Sequence, residues 1–236
     1  MKAMARCGVH GMSAITAVTA QNTVAVTAVH PLQPEAIIEQ VRAVAEDIGV
    51  DAVKIGMVGS AEAVTVVAEA LDLVGGAPVV LDPVMVAESG ARLLDREAEQ
   101  ALRELLVPRA TVVTPNLAEA TALCGAEGDP EQLARAVHRL GPEAVVVTGG
   151  HREPATDLFF DGRHAEEIPG ERHPDGAAHG SGCTHSSALA SGLARGMAPL
   201  EAARFARSVA GEAVRDGLRE LGAGAGPVNV LGVGRA

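Results

Sequence analysis

The chain has 236 residues, 47% of them apolar, which is enough to bury a substantial core in one α/β domain spanning residues 1–236. Nineteen Lys and Arg against 30 Asp and Glu leave a net charge of −11, with no Trp or Tyr and three Phe. That balance lacks the cationic patch and the stacking aromatics that nucleic acid or an anionic membrane would need. Cys7, Cys124 and Cys183 form an odd set with no CxxC, which argues against a disulfide framework and a structural zinc site. No apolar run reaches membrane-spanning length and no signal-peptide core opens the chain, so the expected location is cytoplasmic.

In chain order, Met1 to Val9 reads as the end of a helix stopped near Gly8, with no N-cap before it. Ser13 to Thr19 and Val24 to Val29 read as strands, separated by the polar break Gln21-Asn22-Thr23. Pro34 to Ile48 is helical, with Ile37, Val41, Val44 and Ile48 recurring on one face. Short apolar strands then alternate with amphipathic helices. The strands are 52–55, 78–81, 110–113 and 144–147; the helices are 61–73, 96–106, 117–123 and 130–140. This alternation predicts βαβ units and a mostly parallel sheet covered on both faces. Leu158 to Arg163 and His164 to Ile168 predict a hairpin, 170–178 a loop, and 183–195 with 200–218 two closing helices. The glycine-rich run 222–226 reads as a flexible turn.

Ligands of open parallel sheets bind beyond the strand carboxyl ends. The most informative stretch is Ala178-His179-Gly180-Ser181-Gly182-Cys183-Thr184, a glycine-rich turn entering a helix. Free N–H groups there suit an anion, and a thiol at a helix N-terminus is expected to ionise more readily than usual. A phosphate loop of the Gly-Lys-Ser/Thr kind is excluded, because neither Lys2 nor Lys54 precedes Ser or Thr. Asp82, before Pro83, and the pair Asn116 and Glu119 are the polar groups at strand ends; Asp82 and Glu119 are the candidate Mg2+ ligands. Asn116 and Glu119 also have capping-box spacing, which on spacing alone is the better reading. Gln21 offers the paired donor and acceptor that suit a heteroaromatic edge. Lys54 receives no role. His10, His30, His138 and His173 read as surface residues, and His151 as either a loop liner or exposed.

Taken together, these stretches resemble the hydroxymethylpyrimidine/phosphomethylpyrimidine kinases of thiamine biosynthesis, in the ribokinase-like superfamily. The resemblance runs through Gly11 to Thr16, Thr19 to Thr23, Val53 to Met57, Leu81 to Met85, Val113 to Glu119, Gly149 to His151 and His179 to Thr184, in family order. It implies an ATP- and Mg2+-dependent kinase with a ribokinase-like α/β fold. Gln21 would bond the aminopyrimidine, and Met57 and Val84 would pack on its ring. Gly180, Ser181, Gly182 and Cys183 would form the anion hole, with Cys183 as base. Asn116 and Glu119 would organise Mg2+ and phosphates, and Thr148, Gly149 and Gly150 would border the nucleotide. A homodimer is compatible with it.

Three departures stand out. Thr148 occupies a position usually held by Lys, Ser181 one usually held by Thr, and a strand and glycine-rich loop that precede the first helix in the family are missing. The expectation is that Met1 is an internal methionine of a longer protein, and that without that strand the chain folds poorly or acts weakly. Rival readings are a pyridoxal-type kinase, a non-catalytic pyrimidine-binding remnant, and a thiol acyltransferase using Cys183 with His179 or His185.

Overall fold

Runs of two or three valines lie at the centre of the molecule, in a six-stranded sheet whose strands neighbour one another in chain order. The computed structural model describes residues 1–85, 94–150, 155–174 and 176–234. Ahead of the sheet come α1 (Lys2–Arg6), the ribbon strands β1 (Ala17–Gln21) and β2 (Val26–Pro31), and α2 (Pro34–Asp47). There follow β3 (Val53–Ile55), α3 (Ala61–Ala70), β4 (Val79–Leu81), α4 (Arg96–Ala101) and β5 (Val112–Val113). The chain continues through α5 (Leu117–Cys124), α6 (Pro130–His138), β6 (Ala144–Val147), β7 (Asp157–Phe160) and β8 (Ala165–Ile168) to α7 (Ser181–Ala194) and α8 (Pro199–Arg215). Strands β3 to β6 are parallel, while β7 and β8 add the expected hairpin in antiparallel sense.

Both faces are buried, and alternate residues choose between them. Leu81, Val113, Val145, Val147 and Phe160 join the core under α2 to α6, while Val80, Val112, Val146 and Phe159 join Leu189, Leu193 and Val209 under α7 and α8. Caps fix where several helices start. Ser60 Oγ accepts Ala63 N–H at 3.2 Å, Asp95 Oδ1 accepts Ala98 N–H at 2.8 Å, and α5 and α6 each carry a full capping box.

Several boundaries move. The first two strands form a separate antiparallel ribbon, β1 with β2, that begins and ends later than the sequence suggests. Asn22 is the reason: its Oδ1 accepts both Val24 and Ala25 N–H at 2.9 Å, so these residues close a turn and β2 starts only at Val26. The first helix stops at Arg6, and α4 gives way after Ala101 to a wider turn over Leu102–Leu106. Helix α7 starts two residues earlier than expected, and α8 ends at Arg215.

Among the described residues, β3 has a strand neighbour only on its β4 side. Beside its other edge runs a groove of about 680 Å3, lined by Met4, Val41, Val44, Ile48, Ala190 and Ala194 together with β3 itself.

Candidate active site

At the carboxyl ends of β3 and β4, Lys54 and Asp82 meet beneath the start of α7. Lys54 Nζ lies 3.4 Å from Asp82 Oδ2, which also accepts the Ser186 hydroxyl at 2.9 Å. Both partners of the ion pair are largely buried. The ammonium occupies the space that a side chain on Gly56 would need, so the glycine makes this conformation of Lys54 possible. Lys54, given no role from the sequence, is therefore a member of the site. Its mid-strand place between apolar neighbours concealed it; the following Gly56 was the available signal.

Asn116 and Glu119 close the capping box of α5. Asn116 Oδ1 accepts Glu119 N–H and Glu119 Oε2 accepts Asn116 N–H, each at 2.9 Å. Burial pushes the Glu119 carboxyl up to about 7, and the nearby negative charge of Asp82 adds to this, against the lowering pull of the Asn116 and Met85 amides. Glu119 thus behaves as a carboxylate short of positive charge. Asp82 and Glu119 offer hard oxygen donors, while no group of three or more His, Cys, Asp or Glu gathers among the described residues. Two protein carboxylates suit Mg2+, which keeps waters and takes phosphate oxygens for the rest of its shell.

The turn before α7 is built on Gly180, whose φ of 86° is the left-handed geometry that glycine adopts without strain. Its carbonyl accepts Thr184 N–H at 3.0 Å and the Thr184 hydroxyl at 2.8 Å. Ser181 N–H is engaged by Ala178 O at 2.9 Å, so that amide belongs to the turn and not to the expected anion cradle. Gly182 and Cys183 are first-turn residues, whose amides an α-helix leaves without an intrahelical acceptor. Cys183 is open to solvent at the mouth of the turn. The expected lowering of its pKa is not found. Crowding by surrounding protein raises the thiol above its ordinary value, Lys54 pulls it down, and Asp82 and Glu119 push it further up. Crowding of the sulfur, with the two carboxylates as smaller contributors, outweighs the pull of Lys54.

A second rim of the site is assembled from β5, β6 and β7. Asn116 and Thr148 are bridge partners, and Thr148 N–H bonds Pro115 O at 2.9 Å, so the ends of β5 and β6 run together. Gly149 is buried and Gly150 exposed. Gly149 N–H donates to Asp157 Oδ1 at 2.8 Å, and a side chain on Gly149 would overlap the Thr156 carbonyl. His151 lies outside the described residues.

Met57 and Val84, at the ends of β3 and β4, are half-buried; Met57 O accepts the Thr16 hydroxyl at 3.1 Å, which ties the ribbon base to the site. Gln21 is exposed at the far end of β1 and its carbonyl oxygen faces Thr19 Oγ1 at 3.5 Å. No hydrogen bond joins Gln21 to the Cys183 cluster among the described residues. The 222–226 run is no free turn. Gly224 N–H bonds Thr23 Oγ1 at 3.2 Å, and Gly226 O and Val228 N–H bracket His179 at 3.3 and 3.0 Å. His185 is buried beside Asp157, so it is not the open base beside Cys183 that an acyltransferase would require.

The phosphomethylpyrimidine kinase family matches residues 1–229. A hydroxymethylpyrimidine/phosphomethylpyrimidine kinase of Rhizobium meliloti is 46% identical, over 97% of this chain and 89% of that protein. The solved structure of a Bacillus subtilis pyridoxal kinase in complex with ADP superposes with a TM-score of 0.87 at 34% identity, covering 96% of this chain and 88% of that one. A phosphomethylpyrimidine kinase structure from Clostridium difficile gives a TM-score of 0.78 at 37% identity, covering 88% and 87%. With the fold ribokinase-like and the match running through every strand end described above, this chain belongs to the phosphomethylpyrimidine kinase family.

Proposed function

We propose that this phosphotransferase moves the terminal phosphoryl group of ATP onto the hydroxymethyl oxygen of 4-amino-5-hydroxymethyl-2-methylpyrimidine, and then onto the resulting monophosphate. The observation that carries this reading is the convergence of Lys54, Asp82, Glu119 and Cys183 on one another at the strand carboxyl ends. Phosphoryl transfer needs positioning and charge neutralisation more than covalent chemistry, and these groups supply both. The substrate hydroxyl gives its proton to the thiolate form of Cys183 as its oxygen attacks the γ-phosphorus and ADP leaves. Gly180, Ser181 and Gly182 shape the turn, with the Gly182 and Cys183 amides facing the migrating group. Gln21, Met57 and Val84 hold the pyrimidine. Asn116, Thr148, Gly149 and Gly150 border the nucleotide.

Asp82 and Glu119 would hold Mg2+, whose charge would meet the deficit at Glu119 and help neutralise the phosphates. A pyridoxal-type kinase is the second reading, favoured by the close superposition on a pyridoxal kinase. Turnover of both substrates with ATP and Mg2+ separates them. The aminopyrimidine is the expected preferred substrate. A strong preference for pyridoxal would reject the assignment, and pyrimidine binding without turnover would leave a binding protein.

A further inference from the structure

Beneath the Gly149 turn lies a cluster of ionisable groups that the chemistry above does not use. Asp157, the first residue of β7, is fully buried. Its Oδ1 accepts Gly149 N–H at 2.8 Å and lies 3.6 Å from Arg207 Nη1 of α8. Its Oδ2 lies 3.3 Å from His185 Nε2 of α7, two residues beyond Cys183. Arg207 also donates to Ala155 O. The pairing is imperfect: Asp157 Oδ2, both His185 nitrogens and Arg207 Nε are buried without a well-formed hydrogen bond.

A buried ion cluster of this kind is poor value as a stabiliser, since apolar side chains of similar volume often serve as well. What an apolar residue cannot do is accept the Gly149 amide. Burial opposes ionisation of Asp157, yet His185, Arg207 and the Gly149 amide together hold its carboxyl below the ordinary range, so it stays a charged acceptor. Gly149 in turn lies so close to β7 that no side chain fits there. The carboxylate therefore grips two walls at once, the turn after β6 and the helix that presents Cys183.

We propose that Asp157 is a positioning residue which, braced by His185 and Arg207, fixes the peptide of Gly149 for the nucleotide and keeps that turn in register with the start of α7. This rests on the reading that Gly149 and Gly150 border ATP.

The test measures nucleotide binding by calorimetry with ADP, alongside steady-state KM values for ATP and for the pyrimidine. Losing a hydrogen bond to a charged group predicts about 10- to 100-fold weaker nucleotide binding in Asp157→Ala. Asp157→Asn keeps an acceptor and loses the charge, so a partial rescue to a roughly three- to tenfold loss is expected. In both variants the pyrimidine KM stays unchanged. A fold-wide role would raise both KM values together, and that result, or ADP affinity equal to the parent's, overturns the proposal. If Asp157→Ala does not fold, Asp157→Asn decides by the same two criteria. A parent protein that binds no ADP would instead remove the underlying assignment of the nucleotide turn.

Discussion

Helix α7 straddles two unlike halves of the molecule. On one side Leu189 and Leu193 enter the cluster under β6 to β8 with Val146, Phe159 and Ile168, and the sheet is finished by an antiparallel hairpin. On the other side Ala190, Ser191 and Ala194 face the groove along β3, which carries Lys54 at its centre. The β7 half holds its share of the site by the protein's own contacts, through Asp157 and Gly149. The β3 half presents Lys54, Met57 and the ribbon from a strand that, among the described residues, is paired on one side only. The closed β7 half and the open β3 half thus differ in how the sheet is finished, not in the site residues themselves.

The sharpest test of what the two halves share is the residue between them. Cys183→Ala is expected to lower kcat by about 10²- to 10⁴-fold, the usual contribution of a general base, with ADP affinity unchanged. Because the thiol pKa lies above its ordinary value, the parent's kcat should keep rising through alkaline pH. Lys54→Met removes the charge that favours the thiolate and should displace that rise further up. Steady-state pH profiles check both, and a Cys183→Ala loss of less than tenfold would take the proton-accepting role away from the sulfur.

Next in size is the packing contrast, read by urea unfolding. Leu189 is fully buried, so Leu189→Ala should cost about 2–5 kcal/mol. Ile48 lines the groove with 59% of its surface exposed, and Ile48→Ala should cost about 0.5 kcal/mol or less. A large cost at Ile48 would mean that the groove is covered in solution and that the two halves are more alike than they look.

The β7 half was the more legible in the sequence. Runs such as Ala144 to Val147 and Leu158 to Ile168 are apolar or alternating, bounded by glycine, and paired with close neighbours in the chain, so period and punctuation suffice. The strand-end motifs singled out Asn116, Glu119, Thr148 and Gly149, and the fold brings these residues to one rim because a short strand delivers its next residues there. The sequence was silent where long-range pairing decides. Lys54 meets Asp82 across two strands, Asp157 meets His185 and Arg207 across three elements, and no local spacing encodes either. The thiol of Cys183 was misjudged for the same reason: the helix start is local, but the protein that crowds the sulfur, and the lesser push of Asp82 and Glu119, come from distant parts of the chain. The Asn22 turn shows the converse, a local side-chain bond overriding the β-branched pattern of Val24.

Glu119 gives the smallest effect and links both halves, since it sits between the Asn116–Thr148 rim and Asp82. Its carboxyl titrates near 7 in the fold, against an ordinary value of 4.5. The folded state therefore favours the protonated form, so its contribution to stability is complete below about pH 4.5 and is lost as the pH rises through about 7. Glu119→Gln keeps the capping box, in which Gln serves at this position, and stays neutral throughout. The variant should match the parent near pH 4.5 and exceed it by about 1–3 kcal/mol at pH 8, less where solvent screens the charge. Mg2+ should raise the parent's Tm at pH 8 more than at pH 6, and should do so far less in Glu119→Gln, because the ion answers the same deficit of positive charge. Thermal melts at the two pH values, with and without Mg2+, read all of this. A parent whose stability is flat from pH 5 to 8 and indifferent to Mg2+ would mean that Glu119 is only a helix cap, leaving Asp82 alone to meet a cation.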